Sequence, residues 1–120
     1  MSFEWRDFLS VAHSLNLEMG PSAVPEACAR SAVSRAYYAA FCHARNYARD
    51  VYGYTPTNDP NDHWRVRKQF VQRKQSAVAS QLDELRKWRN RCDYRDDVSN
   101  VTGIPAKALK AAQKVLDALT

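Results

Sequence analysis

At 120 residues the chain is sized for one folded domain. Hydrophobic residues make up 45% and charged residues 26%, ordinary values for a globular protein, and three Gly and five Pro argue against long disordered tracts. No apolar run approaches the roughly 20 residues of a membrane span, and the net charge is +5.

The N-terminal stretch Met1-Ser2-Phe3-Glu4-Trp5-Arg6-Asp7 is polar and acidic, where a signal peptide would be basic and then apolar, so a cytoplasmic protein is expected. A first helix is predicted from Phe3 to about Leu17, with Trp5, Phe8, Leu9, Ala12, Leu15 and Leu17 at helical spacing. Ser2 is its candidate N-cap, Glu4 and Asp7 complement the helix dipole, and Gly20-Pro21 ends it.

A second helix is predicted from about Pro25 to Asp50. Pro25 and Glu26 suit its first turn. It is rich in alanine, which lets neighbouring helices come close, and this should be the central, most buried element. At helical spacing in an alanine-rich helix, its Tyr37, Tyr38 and Phe41 read as core rather than as base-stacking residues. His43 reads as a satisfied core residue and His13 as a polar surface one.

Gly53 to Asp62 is dense in turn formers and is expected to be a loop. Asp62 can cap a third helix from about His63 to Phe70 or Gln72, and a break near Lys74 leads to a fourth from Ser76 to Tyr94. After a turn over Arg95 to Gly103, a fifth helix is predicted from Pro105 to Leu119. No strand pattern is visible, so the expected fold is all-α, an antiparallel up-and-down bundle of four to five helices forming one domain over residues 1–120.

The charge is uneven. Residues 62–95 hold ten Lys/Arg against four Asp/Glu, while residues 1–61 hold five against six and residues 96–120 three against three. A basic helical segment suits either a phosphate-binding surface or a solvated face. On the fourth helix Val78, Leu82, Leu85, Trp88 and Cys92 fall in one apolar arc, and Arg89 falls inside it. A guanidinium aimed at an apolar seam is costly unless paired or functional. Two readings follow. Arg89 bridges Asp93, four residues on, with Asn90 capping a neighbour; or Arg89 holds a phosphate with its planar fork while Asn90 orients a ribose or water. The seam also suggests a second copy covering Val78, Leu82 and Arg89.

Cys28, Cys42 and Cys92 match no zinc spacing, and three isolated histidines make no metal site. No phosphate-cradling glycine loop is present, and no metal or cofactor is expected.

Two stretches carry a family resemblance. Ser31-Ala32-Val33-Ser34-Arg35-Ala36-Tyr37-Tyr38-Ala39-Ala40-Phe41 resembles the core helix of the HEPN superfamily, and Leu85-Arg86-Lys87-Trp88-Arg89-Asn90-Arg91-Cys92-Asp93-Tyr94 is similar to its arginine-bearing helix. His63 also sits where many relatives carry a histidine, and the resemblance spans roughly residues 22–98. It implies helical bundles that form two-fold dimers. Many such domains are metal-independent ribonucleases of toxin–antitoxin or defence systems, or modules that pair with a nucleotidyltransferase. Their site lies at the dimer cleft, with an arginine and, one to two helical turns later, a histidine. Arg89 matches that arginine and Asn90 the polar residue after it. No histidine follows, and Asp93, Tyr94 and Arg95 occupy those positions.

RNA cleavage needs a base and an acid, which histidine supplies near neutral pH and tyrosine, with a pKa near 10, supplies poorly. The residues expected to carry chemistry are Arg89, Asn90, Asp93 and Tyr94, with Arg86, Tyr38 and His63 in binding. Whether the chain is an enzyme stays open among three readings. One is a ribonuclease. Another is a non-catalytic module that binds RNA or nucleotide or pairs with a nucleotidyltransferase. The third is a scaffold dimer in which Arg89 and Asp93 only fix the fold.

Overall fold

The computed structural model describes residues 3–17, 25–99 and 101–120. Within these it holds five helices and no strand: α1 (Asp7–Leu17), α2 (Pro25–Tyr52), α3 (Asp62–Gln72), α4 (Ser76–Tyr94) and α5 (Ile104–Ala118). No helix is long and apolar enough to cross a membrane among the described residues.

The 28 residues of α2 rise about 42 Å, close to the 45 Å long dimension of the molecule. Each of the other helices packs against it. Ala29, Ala32, Ala36, Ala40, Ala44 and Ala48 form a fully covered stripe along it, three to four residues apart. Small side chains at that spacing let helix axes approach closely. α2 carries the most buried residues, eleven, although α5 is covered over a larger share of its length, eight of 15. α2 outruns its expected end at Asp50 because Tyr47 and Tyr52 close around Phe70 of α3, at 6.2 and 5.5 Å between ring centroids. It stops at Gly53, whose φ of +73° is the left-handed conformation that glycine adopts without cost.

α1 starts later than its apolar pattern predicts. Phe3, Trp5 and Phe8 pack edge to face at 4.9–5.3 Å, and the amides of Asp7, Phe8 and Leu9 close tight turns onto Glu4, Trp5 and Arg6. Ser2 and Gly20-Pro21, proposed as its cap and terminator, lie outside the described residues.

Asp62 does not act as the N-cap of α3. It is the first helical residue, after Asn61 in helical conformation. Its carboxylate turns back and accepts hydrogen bonds from the amides of Thr57 (3.1 Å) and Asn58 (2.8 Å), from Thr57 Oγ1 (2.8 Å) and from the Tyr54 hydroxyl. Burial raises its pKa, but these donors outweigh that and hold the carboxyl at about 2. The loop over residues 53–61 is thus tied to the start of α3. The expected break near Lys74 is a helix-ending motif: the Gln75 amide bonds Phe70 O at 2.8 Å and the Lys74 amide bonds Val71 O at 3.2 Å, with Lys74 left-handed at φ 61°.

The uncovered seam expected on α4 is not bare. Val78 and Leu82 are 3% and 0% exposed, covered by the chain's own helices, so they give no reason for a second copy to pack there.

The C-terminal end of α4 is held from α2. Arg30 Nη1 donates to Cys92 O at 3.0 Å and to Arg95 O, and Nη2 donates to Asp96 O at 2.8 Å. A guanidinium there satisfies carbonyls that the helix leaves unpaired and opposes the negative end of its dipole. Arg30→Ala should cost about 1–2 kcal/mol, read as a melting temperature lower by several degrees, with faster amide exchange over residues 92–96. Unchanged exchange there would remove Arg30 from this role.

Candidate anion-binding site

α2 and α4 face each other where Tyr37, Tyr38 and Phe41 meet the arc of Arg86, Arg89 and Asn90, spaced three and four residues apart so that they share one side of α4. α3 adds His63, and the braced loop adds a further wall. Together they enclose a cavity of about 580 Å³. The structure therefore brings Tyr38, His63, Arg86, Arg89, Asn90 and Tyr94 to one place.

Arg89 is its centre. Nε donates to Asp93 Oδ2 at 3.1 Å, Nη2 donates to the hydroxyls of Tyr38 and Tyr94 at 3.0 Å each, and Nη1 makes a long contact of 3.4 Å with Asn90 Oδ1. The rings of Tyr37, Tyr38 and Tyr94 stand 5.3, 5.3 and 5.4 Å from the guanidinium carbon, within cation–π range. Burial works against the charge, but Tyr38, Tyr94 and Asp93 outweigh it and hold the pKa above its ordinary value. A guanidinium has five N–H donors. Four are used, one of them weakly, so one Nη1 donor has no partner among the described residues. Tyr38 and Tyr94 accept from Arg89, and their own hydroxyl protons have no acceptor there.

Asp93 faces the other way. Its carboxylate lies in a separate groove beside Arg30 and Arg35, where Ser34 Oγ also donates to it at 3.4 Å. The Arg89–Asp93 bridge expected from spacing is present, with side-chain exposures of 19% and 27%, so it is partly rather than fully buried. Asn90 contacts Arg89 and does not cap a neighbouring element.

His63 is 7% exposed. A 3.1 Å hydrogen bond joins its Nδ1 to the Tyr37 hydroxyl, and its Nε2 is buried without a partner among the described residues. Burial, then the nearby Arg86, lowers its pKa to about 4, so it is neutral at physiological pH. Burial pushes the Tyr37 phenol up. Cys42 also lines the cavity, but burial pushes its thiol up, which disfavours the nucleophilic thiolate. His43 Nε2 lies 2.7 Å from Leu119 O and ties α2 to the end of α5, and His13 is exposed on α1. Among the described residues no three His, Cys, Asp or Glu side chains converge to hold a metal.

Three guanidinium groups line the cavity: Arg45, Arg86 and Arg89. Arg86 is exposed and makes no hydrogen bond or ion pair among the described residues. Of the two carboxylates in the wall, Asp59 is engaged by Arg65 at 3.1 Å and by the Asn61 amide at 2.7 Å, and Asp62 by the loop. The free charge of the cavity is positive, and its uncommitted polar hydrogens are donors. That arrangement suits an anion with several acceptor oxygens.

Sequence reasoning did not single out Trp5, Arg45 or Asn58, which also line the cavity. They come from the turn before α1, from α2 and from the loop, and no spacing along the chain links them.

Compared with family models, curated proteins and solved structures, the chain finds no match.

The burial of neutral His63 has a sign that can be checked. The unfolded chain binds a proton at histidine near pH 6.5, and the folded chain only near 4. Between those values the unfolded state holds more protons, so stability is full above about 6.5 and is lost as pH falls towards 4. Urea denaturation should show this slope, and His63→Gln should flatten it. An unchanged slope in the variant would contradict a buried neutral imidazole.

Proposed function

We propose that the chain is a HEPN-type helical domain whose cavity binds the phosphate of RNA or of a nucleotide without cleaving it. One observation carries the reading: Arg89 is held in place from three sides while one Nη1 donor and the two hydroxyl protons of Tyr38 and Tyr94 stay uncommitted at the cavity. A phosphate oxygen accepts from such donors, and Arg86 adds a second charge beside them.

The same geometry favours binding over turnover. A base must reach the 2′-hydroxyl to start cleavage. Asp93 is engaged by Arg89 and Ser34 and lies outside the cavity, and His63 is part of the cavity wall with its Nε2 buried.

A metal-independent ribonuclease is the second reading, and Tyr94 favours it. That phenol is 70% exposed and 3.0 Å from Arg89 Nη2, placed to protonate a leaving 5′-oxygen. The missing base would then come from a second copy, as in a two-fold dimer with paired cavities. Cleavage per chain would rise with protein concentration.

Fluorescence anisotropy with a labelled single-stranded RNA, in the absence of metal, tests both readings. Wild type should bind without producing fragments. Arg89→Ala should lose at least about tenfold in affinity, and its log–log salt slope should be shallower by roughly 0.7, the loss of one phosphate contact. Arg89→Lys, which keeps the charge but not the fork, should fall between. Equal affinity in wild type and a folded Arg89→Ala would end the binding proposal. Fragments from wild type that vanish in Arg89→Ala would replace it with the ribonuclease.

A further inference from the structure

The cavity is larger than a phosphate needs. Ligand pockets run from about 300 to 1,000 Å³, and this one encloses about 580 Å³. Arg86, Arg89 and Tyr94 form its phosphate-binding part. Trp5, from the turn before α1, lines the same space with no use for a phosphate alone, and Arg45 of α2 lies with it.

Their arrangement has a recognisable chemistry. The Arg45 guanidinium carbon lies 5.6 Å from the Trp5 ring centroid, and Phe3 and Phe8 brace the indole edge to face at 4.9 and 5.3 Å. Arg45 is itself steadied by two hydrogen bonds to Asn46 Oδ1, at 3.2 and 3.1 Å. The guanidinium lies over the indole ring, and flat aromatic and guanidinium groups are both surfaces on which nucleobases stack. Such stacking accepts any base, so hydrogen bonds at the base edge must supply preference.

Asn58 is placed to supply them. It lines the cavity, and its side-chain amide makes no hydrogen bond among the described residues. Its backbone is left-handed at φ 61°, held there by the bond from its amide to Asp62. Asparagine tolerates that conformation better than most residues, but glycine is the residue it favours. An asparagine held there keeps a free amide, with two donors and an acceptor, beside the stacking surface.

We infer that the cavity is a two-part nucleotide site, with the phosphate at Arg89 and Arg86 and the base at Trp5, Arg45 and Asn58. This rests on the phosphate reading above and extends it. The ligand class is a purine or pyrimidine ribonucleotide, presented free or as a unit of single-stranded RNA. A phosphorylated sugar without a base fills only half the site.

NMR titration of the full chain tests this with four probes: AMP, UMP, ribose 5-phosphate and a tetraribonucleotide. Wild type should bind a nucleotide at least about tenfold more tightly than ribose 5-phosphate. Trp5→Leu keeps apolar cover but removes the stacking face. It should lose roughly tenfold on nucleotide or RNA and nothing on ribose 5-phosphate. Arg89→Lys should weaken all of them. Asn58→Gly suits the left-handed backbone, so it keeps the fold while removing the amide, and it should alter the ratio of AMP to UMP affinity. Tight binding of the monophosphates would mark a free nucleotide as the ligand, and binding of the tetranucleotide alone would mark RNA. If wild type binds ribose 5-phosphate as well as AMP, or Trp5→Leu and Asn58→Gly both bind nucleotides as wild type does while Arg89→Lys is impaired, the base-binding part is refuted and the phosphate site stands. If Arg89→Lys also binds every probe unchanged, both fail.

Discussion

A guanidinium on the packed side of a helix is costly to desolvate, and the structure around α4 is organised by how Arg89 is satisfied. Tyr38 reaches it from α2, Tyr94 from one turn further along α4, and Asp93 from the opposite flank. Each partner depends on another element being in register. Tyr38 is placed by a helix whose alanine stripe lets its neighbours approach. Tyr94 lies in the last turn of α4, which Arg30 secures through the carbonyls of Cys92, Arg95 and Asp96. Across the cavity, Asp62 ties the loop carrying Asn58 and Asp59 to the start of α3.

The partners hold Arg89 without exhausting it. Asp93 offsets its charge from outside the cavity, while the phenols that accept from it keep their own protons. The inner side of the site is therefore rich in donors and poor in acceptors. A phosphate meets complementary groups there, whereas a proton-abstracting step meets none that is both free and exposed to the cavity. The neutral, buried His63 belongs to the wall: its link to Tyr37 sets the ring beneath Arg89, and its low proton affinity follows from burial among arginines.

Much of the fold was legible because it rests on local periodicity. The bounds of α4 agree with the pattern from Ser76 to Tyr94, and the other helices whose ends are described differ by only a few residues. The misplacement of Arg89 on the apolar arc, and its pairing with Asp93, were also legible, since both follow from positions on one helix. Contacts that depend on tertiary approach were not. The bond from Arg89 to Tyr38 joins residues 51 apart, and nothing in the spacing of Trp5, Arg45 and Asn58 announces a shared cavity. Asp62 had the residue type and position of a helix cap, but the loop offered its carboxylate more donors than the helix did. The seam through Val78 and Leu82 looked exposed because a helical wheel shows which residues share a face, not what covers them.

The central claim is that Arg89 offers unused hydrogen-bonding capacity to a phosphate in the cavity while Arg30, in the same fold, lies outside that cavity and is committed to three backbone carbonyls and the Glu26 carboxylate. The guanidinium resonances of the two side chains report this directly in a ¹⁵N-detected titration of the protein with AMP. The account predicts that the Arg89 signals shift with saturation while those of Arg30 stay in place. Arg89 signals that do not move while exposed arginines elsewhere respond would contradict it, and Arg89 would then be a structural residue alone.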